Sequence, residues 1–382
     1  MLIFIIMANI INSRYIVGDL KENPEISRVN YQVMDPNAGK KKLMNRLSRE
    51  DAIKALQSET FNRTTTSFYR YVDISDPVAL RNELFEEWAD LGVFGRVYLA
   101  QEGVNAQISV PEHNWDVFIS VVHSHEEFRD MHQKIAIEDD GKSFFKLIIK
   151  TKDQIVADGL AYGDYDITNV GNHLDAEQWN AALDEGAIVV DMRNHYESEI
   201  GRFEGAICPQ SETFKEELPE VLDDLKGKEE NKILLYCTGG IRCEKTSAYL
   251  KHHGFNDVNQ LNGGIIDYAR QLEKNQDIDN KFVGKNFVFD ERLGERISDE
   301  IISNCHQCGE SSDEHVNCGN KTCNLLFIQC EKCQDKNSAC CSPECIEFSQ
   351  LSDSEQVARR KGQKNDSRFH NHKKVDLSKG FK

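Results

Sequence analysis

Apolar and polar positions divide the chain into four regimes. Residues 1–64 are polar and weakly patterned apart from an apolar run at 2–7. They predict a loosely ordered lead with one short helix near 48–57. The pattern sharpens over 65–165. Residues 68–74 read as a strand, and Asp76-Pro77 opens a helix with aspartate as cap and proline in the first turn. Leu80, Leu84, Phe85 and Trp88 recur on one face of that helix, and Gly92 ends it. Residues 97–99 and 104–109 read as strands joined through Glu102-Gly103. A second helix follows Pro111, with Trp115, Phe118, Ile119 and Val122 facing in, and 143–149 return as a strand beside which 154–157 can pair. Strand–helix–strand–strand–helix–strand is the order of a ferredoxin/acylphosphatase-like α+β sandwich. Arg96, Glu102 and Asn105 lie around its Gly103 turn as candidate ligand positions, against an ordinary turn role.

Over 166–278 helical and strand patterns alternate. Helices are expected at 173–183, at 214–225, after Cys243, and through Ile265, Tyr268 and Leu272. Apolar strands are expected at 187–190, 233–236 and 257–261. This is an α/β domain with a parallel sheet covered on both faces. Such sheets carry their sites at the carboxyl ends of the strands. Asp191-Met192-Arg193 and Cys237 both stand at such ends and are expected to converge, with Asp191 and Arg193 binding substrate. Residues 279–382 open with a strand-like run at 285–292, become cysteine-rich, and end in a tail read as disordered.

Charge narrows the function classes. The chain has 64 Asp+Glu against 46 Lys+Arg and a formal net charge of −18, which excludes nucleic-acid binding by bulk charge. The ends differ from the body. Residues 359–382 hold nine Lys/Arg against two Asp/Glu, and 14–63 hold ten against seven. Basic ends can engage RNA locally or serve only as solvated tails. The run at 2–7 is too short to span a bilayer and lacks the flanks of a secretory signal, and Met7 is an alternative start. The expectation is a cytoplasmic protein with no membrane contact. Its twelve cysteines are then thiols or metal ligands rather than a disulfide scaffold.

The loop Cys237-Thr238-Gly239-Gly240-Ile241-Arg242-Cys243 carries the chemistry. It links an apolar strand to a helix N-terminus. Gly239 and Gly240 allow the backbone N–H groups to turn inward, and the helix end and Arg242 add positive charge. These features lower a thiol pKa and cradle an anion, so Cys237 is the candidate nucleophile. A cysteine phosphatase needs arginine six positions after its cysteine, but that position is Cys243 here. Cys243 can resolve a persulfide or sulfenate on Cys237, or simply fill the first helical turn.

Nine cysteines close the argument: Cys305, Cys308, Cys318, Cys323, Cys330, Cys333, Cys340, Cys341 and Cys345. Close pairs repeated in this way have zinc-ligand spacing. Eight thiolates serve up to two Zn²⁺ ions and leave one of Cys340 and Cys341 spare. His306 and His315 are reserve ligands, and an iron–sulfur cluster is the alternative.

Asp191-x-Arg193, Tyr196-Glu197, the run 201–206, the Cys237 loop and Leu261-x-Gly263-Gly264 resemble the rhodanese superfamily, in which the loop cysteine carries a persulfide. Arg202 stands where many rhodaneses have histidine. The wider chain, through residues 94–109, 155–159, 191–197, 284–302 and 305–309, resembles the bacterial rhodanese-like tRNA uridine hydroxylases over about residues 64–350. That resemblance implies oxygen-dependent conversion of the tRNA wobble uridine to 5-hydroxyuridine, with tRNA as partner, molecular oxygen as co-substrate and Cys237 as the essential cysteine. Arg242 and the N–H groups of Gly239 and Gly240 would steady the developing anion. The competing readings are a sulfurtransferase that uses a Cys237 persulfide and a zinc-dependent RNA-binding or scaffold protein.

Overall fold

The structure is a computed structural model that describes residues 47–136, 141–161, 163–290, 292–360 and 376–377. The expectations for residues 1–46 and for most of the basic tail lie outside the described residues. The first helix, α1 (Arg49–Gln57), begins at Ser48, whose side chain accepts the Asp51 N–H.

The sandwich runs β1 (Arg63–Tyr71), α2 (Pro77–Asp90), β2 (Phe94–Ala100), β3 (Gly103–Pro111), α3 (Trp115–Ser124), β4 (Lys134–Ile135) and β5 (Leu147–Thr151). Asp76 caps α2 by accepting the N–H groups of Val78 and Ala79. The predicted stripe Leu80, Leu84, Phe85 and Trp88 is buried against Phe68, Val97 and Ile108 of the sheet. Each such side chain contributes about 1.5–3 kcal/mol by leaving water.

The strand order is β4-β1-β3-β2-β5, and here two expectations need correction. Residues 147–151 add to β2 in parallel, while the place beside β1 goes to the two-residue β4. Residues 154–157 join no strand; the Ile155 N–H is drawn instead to Glu102 Oε1, at 2.7 Å.

The central domain contains β6 (Asn172–Leu174), α4 (Ala176–Asp184), β7 (Ile188–Asp191), α5 (His195–Glu199), β8 (Gly201–Phe203), α6 (Phe214–Asp224), β9 (Lys232–Tyr236), α7 (Ile241–His252), β10 (Asp257–Leu261) and α8 (Gly264–Lys274). The capping box of Asp175 and Gln178 starts α4 at Ala176, which frees residues 172–174 to pair with β10. The parallel sheet is β6-β10-β9-β7. Alternation along β9 sorts its side chains. Leu234 and Tyr236 pack with Trp179 of α4 and Tyr268 of α8. Ile233, Leu235 and Cys237 pack toward Leu218 of α6 and Leu250 of α7. The Cys237 sulfur is thus placed on one face by the period of a strand.

The expected strand at 285–292 is β11 (Phe282–Asn286), which pairs with β8 of the central domain and with β12 (Glu295–Arg296). The C-terminal module adds β13 (His315–Asn317), β14 (Leu326–Ile328), α9 (Glu331–Asn337), α10 (Pro343–Ser349) and α11 (Asp353–Arg360). Leu326 and Ile328 pack on Tyr196, Ile200 and Phe287. The module is therefore anchored to the segment that follows the Asp191 strand.

Candidate active site

Cys237 is fully buried at the end of β9. The chain turns at Gly240, φ +94°, so the Gly240 N–H donates to the Cys237 sulfur at 3.1 Å. Burial alone would push this thiol up. The Cys243 hydrogen bond, the Arg242 guanidinium and the N–H groups of Arg242 and Gly240 together outweigh burial and bring it down to about 5. Burial and the neighbouring sulfur push Cys243 the other way, so Cys243 stays a protonated donor beside a thiolate. A second glycine is required below the loop. Gly264 has φ +70°, and a Cβ there would stand 2.5 Å from the Cys237 carbonyl oxygen. This close approach lets the Ile265 and Ile266 N–H groups hold the carbonyls of Cys237 and Thr238.

Asp191 and Arg193 do not take the expected substrate-binding position. Both are fully buried, and Arg193 Nε and a terminal nitrogen reach the two Asp191 oxygens at 2.8 and 2.6 Å. The Tyr236 hydroxyl donates to Asp191, and Arg193 also donates to the Gly201 carbonyl, each at 2.6 Å. The pair clasps β7, β9 and β8 below the site, and its hydrogen-bonding capacity is directed inward. Arg193→Met is expected to lower stability by about 3–5 kcal/mol in chemical denaturation, because Asp191 would remain buried without its counter-charge.

Arg242 is likewise committed. Its guanidinium makes hydrogen bonds of 2.6 and 2.9 Å to the buried Glu197 carboxylate, and Thr238 Oγ1 donates to the same carboxylate at 3.3 Å. Glu197 holds the arginine in register with the loop and takes up its guanidinium in a two-point ion pair.

The site is completed by the sandwich. A cavity of about 550 Å³ lies between the two domains, lined by Cys237, Thr238, Gly239 and Arg242 from one side and by Tyr69, Arg96, Asn105, Gln107 and Lys134 from the other. Phe289 and Arg292, which follow β11, close a third wall. Arg96 and Asn105 thus stand in the cavity, donating to the carbonyls of Phe289 and Ile155 at 3.2 and 3.4 Å. Glu102, the third turn candidate, is buried and pairs with Lys245 of α7 at 2.9 Å, while Asp158 holds the same ammonium at 3.0 Å. That bridge joins the domains and removes Glu102 from any ligand role.

Further cross-domain bonds run from the Tyr71 hydroxyl to the Ile241 carbonyl, 3.1 Å, and from the Tyr69 hydroxyl to Glu244 Oε1, 3.0 Å. Glu244 also binds His173 and Gln260, and these partners hold its carboxyl below the usual range despite burial. Tyr69, Lys134, Glu197 and Glu244 were not singled out as site residues from sequence. A run of tyrosines on an antiparallel strand reads as ordinary sheet, and Lys134 lies in a segment without periodicity.

The cysteine cluster resolves into two interleaved sets. Cys305, Cys308, Cys330 and Cys333 bring four sulfurs within 4.8 Å of one another, as do Cys318, Cys323, Cys341 and Cys345. The sulfurs of Cys308 and Cys330 are 3.6 Å apart, and those of Cys341 and Cys345 are 3.7 Å apart. Four thiolates at about 2.3 Å from a tetrahedral Zn²⁺ are separated by about that distance, whereas a disulfide needs about 2.05 Å. The donors of an iron–sulfur cluster bind different irons and spread further. The geometry fits one small tetrahedral ion per set.

Cys340 belongs to neither set, and its sulfur lies 3.7 Å from Ser349 Oγ. The histidines are not ligands in these sets either. His306 pairs with Glu199 at 2.8 Å, and His315 packs against Phe287.

Fold and loop together define a class: a rhodanese-type domain with a stabilised thiolate, roofed by an acylphosphatase-like sandwich. Residues 63–155 match the UPF0176 acylphosphatase like domain, 175–271 the rhodanese-like domain and 283–346 the rhodanase C-terminal family. The tRNA uridine(34) hydroxylase of Leptospira interrogans is 55% identical over 337 residues, covering 88% of this chain and 92% of the relative. The proteins of that name from Photorhabdus laumondii and Yersinia enterocolitica are 49% and 50% identical over 341 and 334 residues. They cover 89% and 87% of this chain, and 97% and 95% of the relatives. The chain belongs to the tRNA uridine(34) hydroxylase family.

Proposed function

We propose that this chain hydroxylates the wobble uridine of tRNA to 5-hydroxyuridine, as an oxidoreductase that uses molecular oxygen as co-substrate. The observation that carries the reading is the opening of the Cys237 thiolate into the interdomain cavity. A volume of about 550 Å³ is in the range of small-molecule sites and admits a base turned out of its stack. Arg96, Asn105 and Gln107 offer polar groups to it, and Phe289 and Tyr69 offer ring faces.

In this mechanism the Cys237 sulfur adds to C6 of the uracil ring, which makes C5 electron-rich toward oxygen. The Gly240 N–H holds the sulfur in line, and Cys243 keeps a proton beside it. One oxygen atom is retained at C5, and the other leaves as water at the expense of an external reductant. Each four-cysteine set would hold one Zn²⁺, and with all four thiolates as ligands its role would be structural. No helix among the described residues is long and apolar enough to cross a membrane, and a cytoplasmic site of action follows from a tRNA substrate.

Nucleoside mass spectrometry of tRNA from a deletion strain tests the reading. Loss of 5-hydroxyuridine-derived nucleosides, restored by the wild-type gene and not by Cys237→Ser, is the expected result. Loss of a thiolated base instead would indicate a sulfurtransferase, and an unchanged spectrum would leave an RNA-binding role without chemistry.

A further inference from the structure

The sandwich sets a lysine over the Cys237 loop. Lys134 lies on β4, which is paired to β1 at Ser67. Its ammonium donates to the Gly239 carbonyl and stands 4.3 Å from the centroid of the Tyr69 ring. Lys134 is only 9% exposed, and it lines the cavity together with Cys237. The other cation beside the sulfur, Arg242, is already matched by Glu197. Among the described residues, Lys134 is held by a neutral carbonyl and a ring face, so its charge is available to a ligand in the cavity.

We propose that Lys134 is the electrophilic partner of Cys237: it binds the uracil O4 and neutralises the charge that forms there when the sulfur adds to C6. This role rests on the covalent mechanism proposed above. In the step, the thiolate lone pair becomes the S–C6 bond. The C5=C6 pair moves toward C4, and the O4 enolate takes a proton from the Lys134 ammonium. Reversal returns the proton to Lys134 and the electron pair to sulfur. No oxidant is consumed. Burial, acting against Asp267, Cys237 and Glu244, pushes the Lys134 ammonium pKa down, which makes it a better acid for an enolate oxygen. The site also selects for a carbonyl at position 4. Cytosine presents an amine there, and an ammonium cannot donate to it.

Addition and reversal expose C5 to solvent protons, so the step can be read without oxygen. Full-length protein is incubated under argon in heavy water with an anticodon stem–loop RNA that carries the wobble uridine. Deuterium at C5 is followed by nucleoside mass spectrometry. The wild-type protein is expected to exchange the C5 hydrogen and Cys237→Ser to leave it. Lys134→Met is expected to slow exchange about 100-fold, the usual cost of one lost oxyanion donor, and Lys134→Arg, which keeps the positive charge but has no proton to give, to recover only part of it. Lys134→Gln separates chemistry from tethering, because it keeps an N–H donor for Gly239 without the charge. It should be as slow as Lys134→Met at an unchanged melting temperature and RNA affinity. Wild-type exchange rates in Lys134→Gln would overturn the role of Lys134 while the covalent mechanism stands. No exchange by the wild-type protein would overturn the covalent mechanism and this role with it.

Discussion

Cys237→Ser is expected to lower single-turnover hydroxylation of a stem–loop RNA by about 10⁴-fold or more, as for other lost nucleophiles, with RNA affinity unchanged. The loop is built for a sulfur anion. The Gly240 N–H, the Cys243 thiol and the Arg242 charge stabilise the Cys237 thiolate strongly enough to overcome full burial. A serine hydroxyl ionises far above any working pH, and these donors cannot close that gap. In the wild-type protein, carbamidomethylation of Cys237 by iodoacetamide should be flat above about pH 6 and fall as pH drops through about 5, following the thiolate. The same shift couples to stability. The folded chain holds this proton less tightly than the unfolded chain. Its contribution is therefore complete above the thiol's ordinary pKa and is lost as pH falls toward about 5. An iodoacetamide profile with its midpoint near that of a free thiol would contradict this account of the loop.

Metal removal is expected to have the second large effect. Purified protein should release two Zn²⁺ per chain on denaturation with a chelator, one for each four-cysteine set. Loss of a structural zinc site withdraws about 10–16 kcal/mol of apparent binding energy from a small module. Cys318→Ser should therefore lower the zinc content and abolish hydrogen-exchange protection over residues 305–345, while the sandwich stays protected. The effect should reach the cavity. Leu326 and Ile328 support Phe287 and Phe289, and the Phe289 carbonyl receives the Arg96 hydrogen bond. Hydroxylation should fall with the metal even though none of the eight cysteines lines the cavity. Cys340→Ser should retain both ions, because Cys340 lies outside both sets. A zinc loss in Cys340→Ser equal to that of Cys318→Ser would reverse the ligand assignment.

The elements with strong local signals matched their positions in the structure. The stripe on α2, its Asp76 cap and the β10 bounds follow from periodicity and turn chemistry, which act over a few residues. β4 escaped notice because two residues carry no period. The Asp191–Arg193 pair stood at a strand end as expected, but it is tied to the Tyr236 hydroxyl and the Gly201 carbonyl inside the domain. Its distance from the cavity was not legible in the linear order.

The cysteine spacing announced two four-sulfur sites. Their interleaved pairing, first with third and second with fourth, depends on how β13, β14 and the two following helices fold back. By itself, then, the sequence determined the strongly patterned elements, the placing of Cys237 between an apolar strand and a Gly-rich turn, and the four groups of close cysteines, since each is encoded in residues close along the chain. Only the tertiary structure decided which charges are available. Arg242, Glu102 and Lys245 find counter-ions far away in sequence, and Lys134 reaches the loop because two domains meet there. The worth of a charge depends on what it is buried against, and that is a property of the assembled fold.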